Sequence, residues 1–314
     1  MKTLAAKLNI KLQGELKFCE ICAQGKSQHT AFTKKMVKPA EKPFELVVAD
    51  IYGPSRVSSD TGALYAIGFV DSNTRASFVR FIKAKSEAPE ATRKFIIEEV
   101  QARGHTLRRL RWDNAKELRG EGMQALARNM KFKLEYSGKY SPQQMGLIER
   151  LWQTLAGTAT CMLLERKLPS YLWERAMAYA NFIRNRQQHS TLVRLKKEVT
   201  IPAEALDKTN INIKMQHPFG STAWVHIEAK KRRKFQPRAW KGIFVGYETN
   251  SRAKLIIKDK EFKPRPYLHV KIGDSEPYDD RSRMPDKIQQ SIHQPEETKS
   301  EDQFAEADTE SEHS

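Results

Sequence analysis

Cysteine is scarce in this sequence: Cys19, Cys22 and Cys161 are the only three in 314 residues. A disulfide framework is therefore excluded, and the thiols fit a reducing compartment. Long apolar runs are also missing. Nothing approaches the roughly 18 apolar residues of a membrane span. The first ten residues carry charge and lack the apolar core of a secretory signal. The expectation is a soluble, intracellular protein with no membrane partner. No internal repeat is found.

Acidic residues are few until the end of the chain. From Gly273 onward there are 13 acidic and 4 basic residues. The whole chain carries a formal +17, so residues 1–272 carry +26. The simplest partner for such a field is a polyanion, because cationic side chains release counterions from nucleic acid. The densest basic run is Lys230-Lys231-Arg232-Arg233-Lys234. It suits a DNA-backbone contact, a nuclear import signal, or both, against the blander reading of a solvated loop between strands. The acidic end is polar and nearly free of large apolar residues, so it is expected to be disordered.

Between these extremes the hydrophobic pattern is regular. Phe44–Ile51 reads as a buried strand. Ala63–Asp71 and Ala76–Ile82 read as a hairpin about Ser72-Asn73-Thr74-Arg75. A helix is expected over Glu87–Arg103, capped by Ser86 and stopped by Gly104. Leu107–Trp112 reads as a strand, Met123–Met130 as a short helix and Phe132–Tyr136 as another strand. Ser141, Pro142 and Gln144 give a clear helix start. Tyr171–Gln188 reads as a further helix. Three meandering strands followed by alternating elements suggest a mixed sheet with helices on both faces. Residues 217–272 carry short strand-like runs, with Trp224 and Trp240 expected in their core.

Three carboxylates stand out in this pattern. Asp50 and Asp113 each end a strand-like run, and Glu149 lies on the capped helix, with 35 residues separating it from Asp113. Two strand-end aspartates and one helical glutamate can hold two divalent cations for phosphoryl transfer. Asp71, also at a strand end, competes on the same logic.

The surrounding motifs resemble a family. Cys19-Glu-Ile-Cys22-Ala-Gln-Gly25-Lys26, Asp113-Asn114 and Tyr140-Ser-Pro-Gln-Gln-Met-Gly-Leu-Ile-Glu-Arg150 look like the integrase of copia-type retrotransposons. Phe182-Ile-Arg-Asn-Arg186, Phe219-Gly220 and Gly242-Ile-Phe-Val-Gly-Tyr247 are similar to later segments of that family. The match covers roughly residues 19–272.

The resemblance implies an RNase H-like α/β core of five mixed strands flanked by helices. A small β-rich module and a disordered tail would follow. The divisions expected are a truncated zinc-binding remnant and linker at 1–40, the catalytic core at 41–190, a linker at 191–216, the β-rich module at 217–272 and the tail at 273–314. By matching position, Asp50, Asp113 and Glu149 would ligate two Mg²⁺ or Mn²⁺ ions. The implied activity is an endonuclease and polynucleotidyl transferase that processes 3′ ends and joins them to target DNA. A homo-oligomer acting in the nucleus after cytoplasmic assembly is also implied, as the integrase portion of a longer polyprotein.

The sequence departs from that pattern in places. Cys19 and Cys22 match the cysteines of the family's zinc module, but no histidine precedes them and His29 lies downstream. A structural zinc wants four ligands, so tight zinc binding is not expected. The chain is expected to begin inside that module. Ala115 stands where glycine is usual, and Met145 and Trp152 stand where asparagine is expected, which suggests weakened DNA contacts. These departures motivate an alternative: a domesticated nucleic-acid-binding protein that keeps the fold with impaired catalysis.

Overall fold

The computed structural model describes residues 40–112, 120–136, 142–211, 216–248, 253–258 and 264–277, together with Glu20. Cys19, Cys22, Asp113, Ala115 and the acidic stretch past 277 lie outside the described residues.

Strand β1 (Leu46–Tyr52) is central. Its first four residues are buried, which explains an unbroken apolar run rather than alternation. It pairs antiparallel with β2 (Tyr65–Asp71) and parallel with β4 (Arg109–Trp112). With β3 (Ser77–Ile82) and β5 (Lys133–Tyr136) the sheet order is β3-β2-β1-β4-β5. This is the expected RNase H-like arrangement: a three-strand antiparallel meander extended by two parallel strands.

The two-residue period of a strand sorts side chains between two cores. Val47 and Ala49 face a layer made by α1 (Ala88–Phe95), which continues as a π turn to Val100, and by α2 (Glu121–Met130). Phe69 stacks on Phe95 there, with centroids 4.1 Å apart. Val48 faces the other layer, made by α3 (Pro142–Glu165) and α4 (Trp173–Asn185). Ser86 does not cap α1 as its sequence suggests. It lies in a 3-10 turn, Lys85–Glu87, and the first α-helical turn opens on Pro89 at an N-terminal position.

Asp71 closes the β2–β3 turn. Its Oδ1 accepts from the Phe44 amide at 3.0 Å, and its Oδ2 accepts from the Thr74 amide and hydroxyl at 2.8 and 2.7 Å. Burial nonetheless pushes its carboxyl above the ordinary value. Both oxygens are engaged in holding the turn, which makes Asp71 a structural residue rather than a competing metal ligand.

The stretch read as a linker at 191–216 carries much of two short helices, α5 (Ser190–Arg194) and α6 (Pro202–Asp207). Their capping residues, His189 and Ile201, precede Ser190 and Pro202, and Pro suits the first turn of a helix. A second, wholly antiparallel sheet follows. It contains β6 (Ser221–His226), β7 (Ala239–Tyr247), β8 (Lys254–Lys258), β9 (Pro264–Tyr267) and β10 (Val270–Pro277), in the order β10-β6-β7-β8-β9. Strand β10 runs past Gly273, where the tail was expected to begin.

This second sheet shares its core with α3 and α4. Tyr179 is the hinge of that seam. Its ring lies 5.6 Å from Phe244, 5.7 Å from Phe219 and 6.1 Å from Tyr247, and its hydroxyl donates to the His217 carbonyl. Gly220 (φ 77) allows the closest approach: a Cβ there would come within 2.4 Å of Arg166 Cγ at the end of α3. Among the described residues no helix is long and apolar enough to cross a membrane.

Candidate active site and nucleic-acid face

Asp50 is two residues after Val48 on β1, so the strand period turns it to the side that α3 covers. It is half-buried, near the end of the strand where pairing with β4 stops. The residue facing it across β2 is Gly68. A Cβ on Gly68 would sit 2.8 Å from Trp152 Cζ2 and 3.0 Å from Ile148 Cδ1. The absent side chain is what lets α3 lie flat against the sheet at this level.

Trp152 fills that space. It is 6 % exposed, its ring lies 5.3 Å from that of Tyr52, and its Nε1–H donates to Asp50 Oδ2 at 3.1 Å. Glu149 is three residues earlier on α3, where helix geometry puts it on the same side one turn away. Its side chain is exposed. Asp50 and Glu149 are thus carried by elements locked together through Trp152.

The third carboxylate, Asp113, lies outside the described residues. Its predecessor Trp112 is the last residue of β4 and pairs with Ala49, the predecessor of Asp50. Among the described residues no group of three His, Cys, Asp or Glu is placed to hold a metal. The donors that are present, half-buried Asp50 and exposed Glu149, are carboxylate oxygens, the type that hard divalent cations prefer.

Met145 and Trp152, which stand where asparagine is expected, are both buried in the core under α3, at 6 % exposure each. The apolar replacements extend the core, and the indole nitrogen keeps a polar contact to Asp50 that a wholly apolar side chain would lose. Sequence pattern could not reveal this bond, because it joins residues 102 positions apart.

The segment Phe182–Arg186 is structural. Arg184 Nη1 donates to Ser77 Oγ at 2.7 Å and to the Arg75 carbonyl at 3.0 Å. Asn181 and Asn185 Nδ2 both donate to the Ser77 carbonyl. These bonds pin the end of α4 to β3. Burial pushes the guanidinium groups of Arg75 and Arg184 down to about 10, with the charge of Arg75 adding to the effect on Arg184.

The basic run Lys230–Lys234 lies in the exposed loop joining β6 to β7. Lys231 pairs with Glu228 at 3.5 Å, both well exposed, and such a pair contributes little. Among the described residues, residues 230–234 make no other ion pair. Arg109 and Arg111, by contrast, share Glu135 across the β4–β5 edge, at 3.8 and 2.9 Å. Trp240 packs on Tyr267 as expected of a core residue, but Trp224 is 46 % exposed on the outer face of β6. The sequence could not assign it a side, because the start of β6 shows no alternation: Ser221, Thr222 and Ala223 are all buried, the first two of them polar.

Residues 221–263 match the family model described as the retroviral polymerase SH3-like domain. The chain is 27 % identical over 232 residues to the retrovirus-related Pol polyprotein from transposon TNT 1-94 of Nicotiana tabacum, covering 74 % of this chain. It is 25 % identical over 267 residues to the corresponding polyprotein from transposon RE1 of Arabidopsis thaliana, covering 82 % of this chain. It spans 17 % of the length of each. Among solved structures, a simian T-cell lymphotropic virus intasome in complex with the PP2A regulatory subunit B56 gamma aligns at TM-score 0.44 and 17 % identity, over 81 % of this chain and 87 % of that one. The catalytic core domain of BIV integrase aligns at 0.39 and 14 %, over 52 % and 95 %. The chain is therefore similar, over most of its length, to a portion of the Pol polyproteins of copia-type plant retrotransposons.

Proposed function

We propose that the chain is a divalent-metal-dependent integrase, with Asp50, Asp113 and Glu149 as the metal ligands. The observation that carries this is the convergence of β1, β4 and α3 on one place. The Ala49–Trp112 pairing precedes both aspartates, and the Trp152–Asp50 bond fixes the helix that bears Glu149. Kinship with the transposon polyproteins supports the same reading.

Bound at these carboxylates, two divalent cations supply activation of the attacking oxygen and stabilisation of the leaving one. The protein's own part is positional. Trp152 holds one oxygen of Asp50, and the rigid end of β1 keeps that carboxylate in place without reorganisation. In the first reaction, water attacks a phosphodiester near each 3′ end of the element DNA and frees a 3′-hydroxyl. In the second, that hydroxyl attacks a phosphodiester of target DNA and displaces the 3′ oxygen of the neighbouring nucleotide. Lys230–Lys234 would hold DNA through its phosphates. DNA is the partner on this reading, a homo-oligomer is expected for joining two ends, and the nucleus is the place of action.

The test is strand transfer by the purified chain with Mg²⁺ or Mn²⁺. Wild type is expected to join DNA ends, and Asp113→Asn, Asp50→Asn and Glu149→Gln are each expected to abolish joining while retaining DNA binding. Full activity in any of the three removes that residue from the site.

A second reading is a DNA-binding protein without useful turnover. The Trp152 bond favours it, since an indole fixed on Asp50 Oδ2 crowds an oxygen that a metal would use. It predicts salt-sensitive DNA binding and no joining under any metal.

A further inference from the structure

The hairpin formed by β6 and β7 carries two exposed large aromatic side chains, Phe235 and Trp224. Phe235 is fully exposed in its loop. The loop is not formless around it. The Gln236 amide donates to the Arg233 carbonyl at 3.2 Å, and the Arg233 amide donates to Gln236 Oε1 at 2.8 Å. Ile227 and Arg238 close its base with a 2.8 Å backbone bond. Within the turn Arg233–Gln236, Phe235 is the third residue and has φ 65. Turns that need positive φ there recruit glycine or asparagine, because a Cβ is strained in that region. A large aromatic at this place gains no burial and carries backbone strain as well. Strain of this kind collects at functional sites.

The second aromatic is Trp224. Its direct cross-strand neighbours are Lys241 on β7 and Lys271 on β10, both exposed. An indole between two lysines is a flat apolar surface bordered by cations. His226, two residues on, is also exposed. The loop between the strands adds Lys230, Lys231, Arg233 and Lys234. Aromatic faces spaced among cations are what unpaired nucleotides recognise. Bases stack on the rings, and phosphates pair with the charges.

We propose that the β6–β7 hairpin binds unpaired nucleotides of DNA by stacking, with Trp224 as a platform and Phe235 as a tip that inserts against a base. The proposal rests on the DNA-binding reading above and narrows it to single-stranded or frayed segments. Blunt duplex offers the same phosphates with its bases already stacked, so it uses the charges alone.

The experiment measures fluorescence anisotropy of the full chain on three probes: an oligothymidylate of about 30 nucleotides, an abasic strand of equal length and a blunt duplex. Trp224→Ala and Phe235→Ala are each expected to weaken oligothymidylate binding about tenfold, within the usual range for losing one stacked base. Abasic and duplex binding should stay within about twofold of wild type, since phosphate contacts are untouched. Trp224→Phe should keep most of the affinity. Phe235→Gly should lose the same affinity and yet raise the melting temperature by a few degrees, roughly what relief of a positive φ provides. A 2-aminopurine in the strand should be quenched by wild type and not by the double alanine variant.

Replacing Lys230, Lys231, Arg233 and Lys234 by Gln separates the two ideas. It should weaken all three probes. If it does so while both alanine variants bind like wild type, stacking is overturned and the electrostatic reading stands. Equal losses on all three probes in the alanine variants overturn stacking too. If wild type binds none of the probes, the DNA-binding reading fails and this proposal falls with it.

Discussion

Trp152 donates its indole N–H to Asp50 Oδ2 at 3.1 Å while lying almost wholly buried against Gly68 and Tyr52. The bond fastens the helix carrying Glu149 to the strand carrying Asp50. A neutral donor to a carboxylate contributes roughly 1.5–3 kcal/mol when the acceptor is charged. That energy acts on the position of the carboxylate, and small displacements of reacting groups have large effects on rate.

Trp152→Phe therefore tests what the bond does. The ring still fills most of the space beside Gly68, and only the donor and part of the ring system are lost. In a metal-dependent joining assay the rate is expected to fall about tenfold, the equivalent of ~1.4 kcal/mol in the barrier, with DNA affinity unchanged. A rate that rises instead would mean that the indole obstructs Asp50, and the reading of a catalytically impaired protein would gain.

The seam between α4 and the second sheet makes a different prediction. Phe244 is fully buried between Tyr179, Tyr247 and His217, on a sheet whose core is continuous with that of α3 and α4. Phe244→Ala should destabilise by roughly 3–5 kcal/mol. Since the two sheets share that core, calorimetry should show one transition in both wild type and variant, displaced downward in the variant. Two separate transitions, with only one displaced by the substitution, would show that the sheets unfold independently.

How far the sequence anticipates this architecture depends on the kind of signal. The Ser77–Ile82 and Tyr65–Asp71 hairpin was legible because its turn residues interrupt two clean apolar runs. The helix from Pro142 was legible from its start signal and from the stripe through Ile148, Leu151 and Leu155, all buried. Helices α5 and α6 were missed because five or six residues cannot establish a 3.6-residue period. Strands β9 and β10 were missed for a related reason. In β9 the middle residues Arg265 and Pro266 are exposed, and Pro264 and Pro266 argue against a strand except at a sheet edge, which is where β9 lies. At the candidate site, strand ends and helix position picked out Asp50 and Glu149. Trp152 read as a departure, since a hydrogen bond across the sheet leaves no local trace. Asp71 read as a rival ligand because its turn-closing bonds are equally invisible in the sequence.

His189 gives a pH test of the region after α4. It caps α5, with Nδ1 accepting from the Thr191 amide at 3.2 Å. Burial, reinforced by the charges of Arg184, Arg75 and Arg150, pushes the imidazole down to about 3. The folded protein therefore holds it neutral where the unfolded chain, near 6.5, takes up a proton. In that interval the unfolded state binds more protons, so stability falls as pH drops below about 6.5 and continues falling toward 3. Between pH 6.5 and 5 the loss from this group is on the order of 2 kcal/mol. His189→Asn keeps a capping oxygen and cannot titrate, and asparagine is among the best N-caps. Its melting temperature should match wild type near pH 7.5 and exceed it by several degrees at pH 5. Parallel melting profiles for the two proteins across that range would show that His189 is protonated in the fold and that its cap is not what acid breaks.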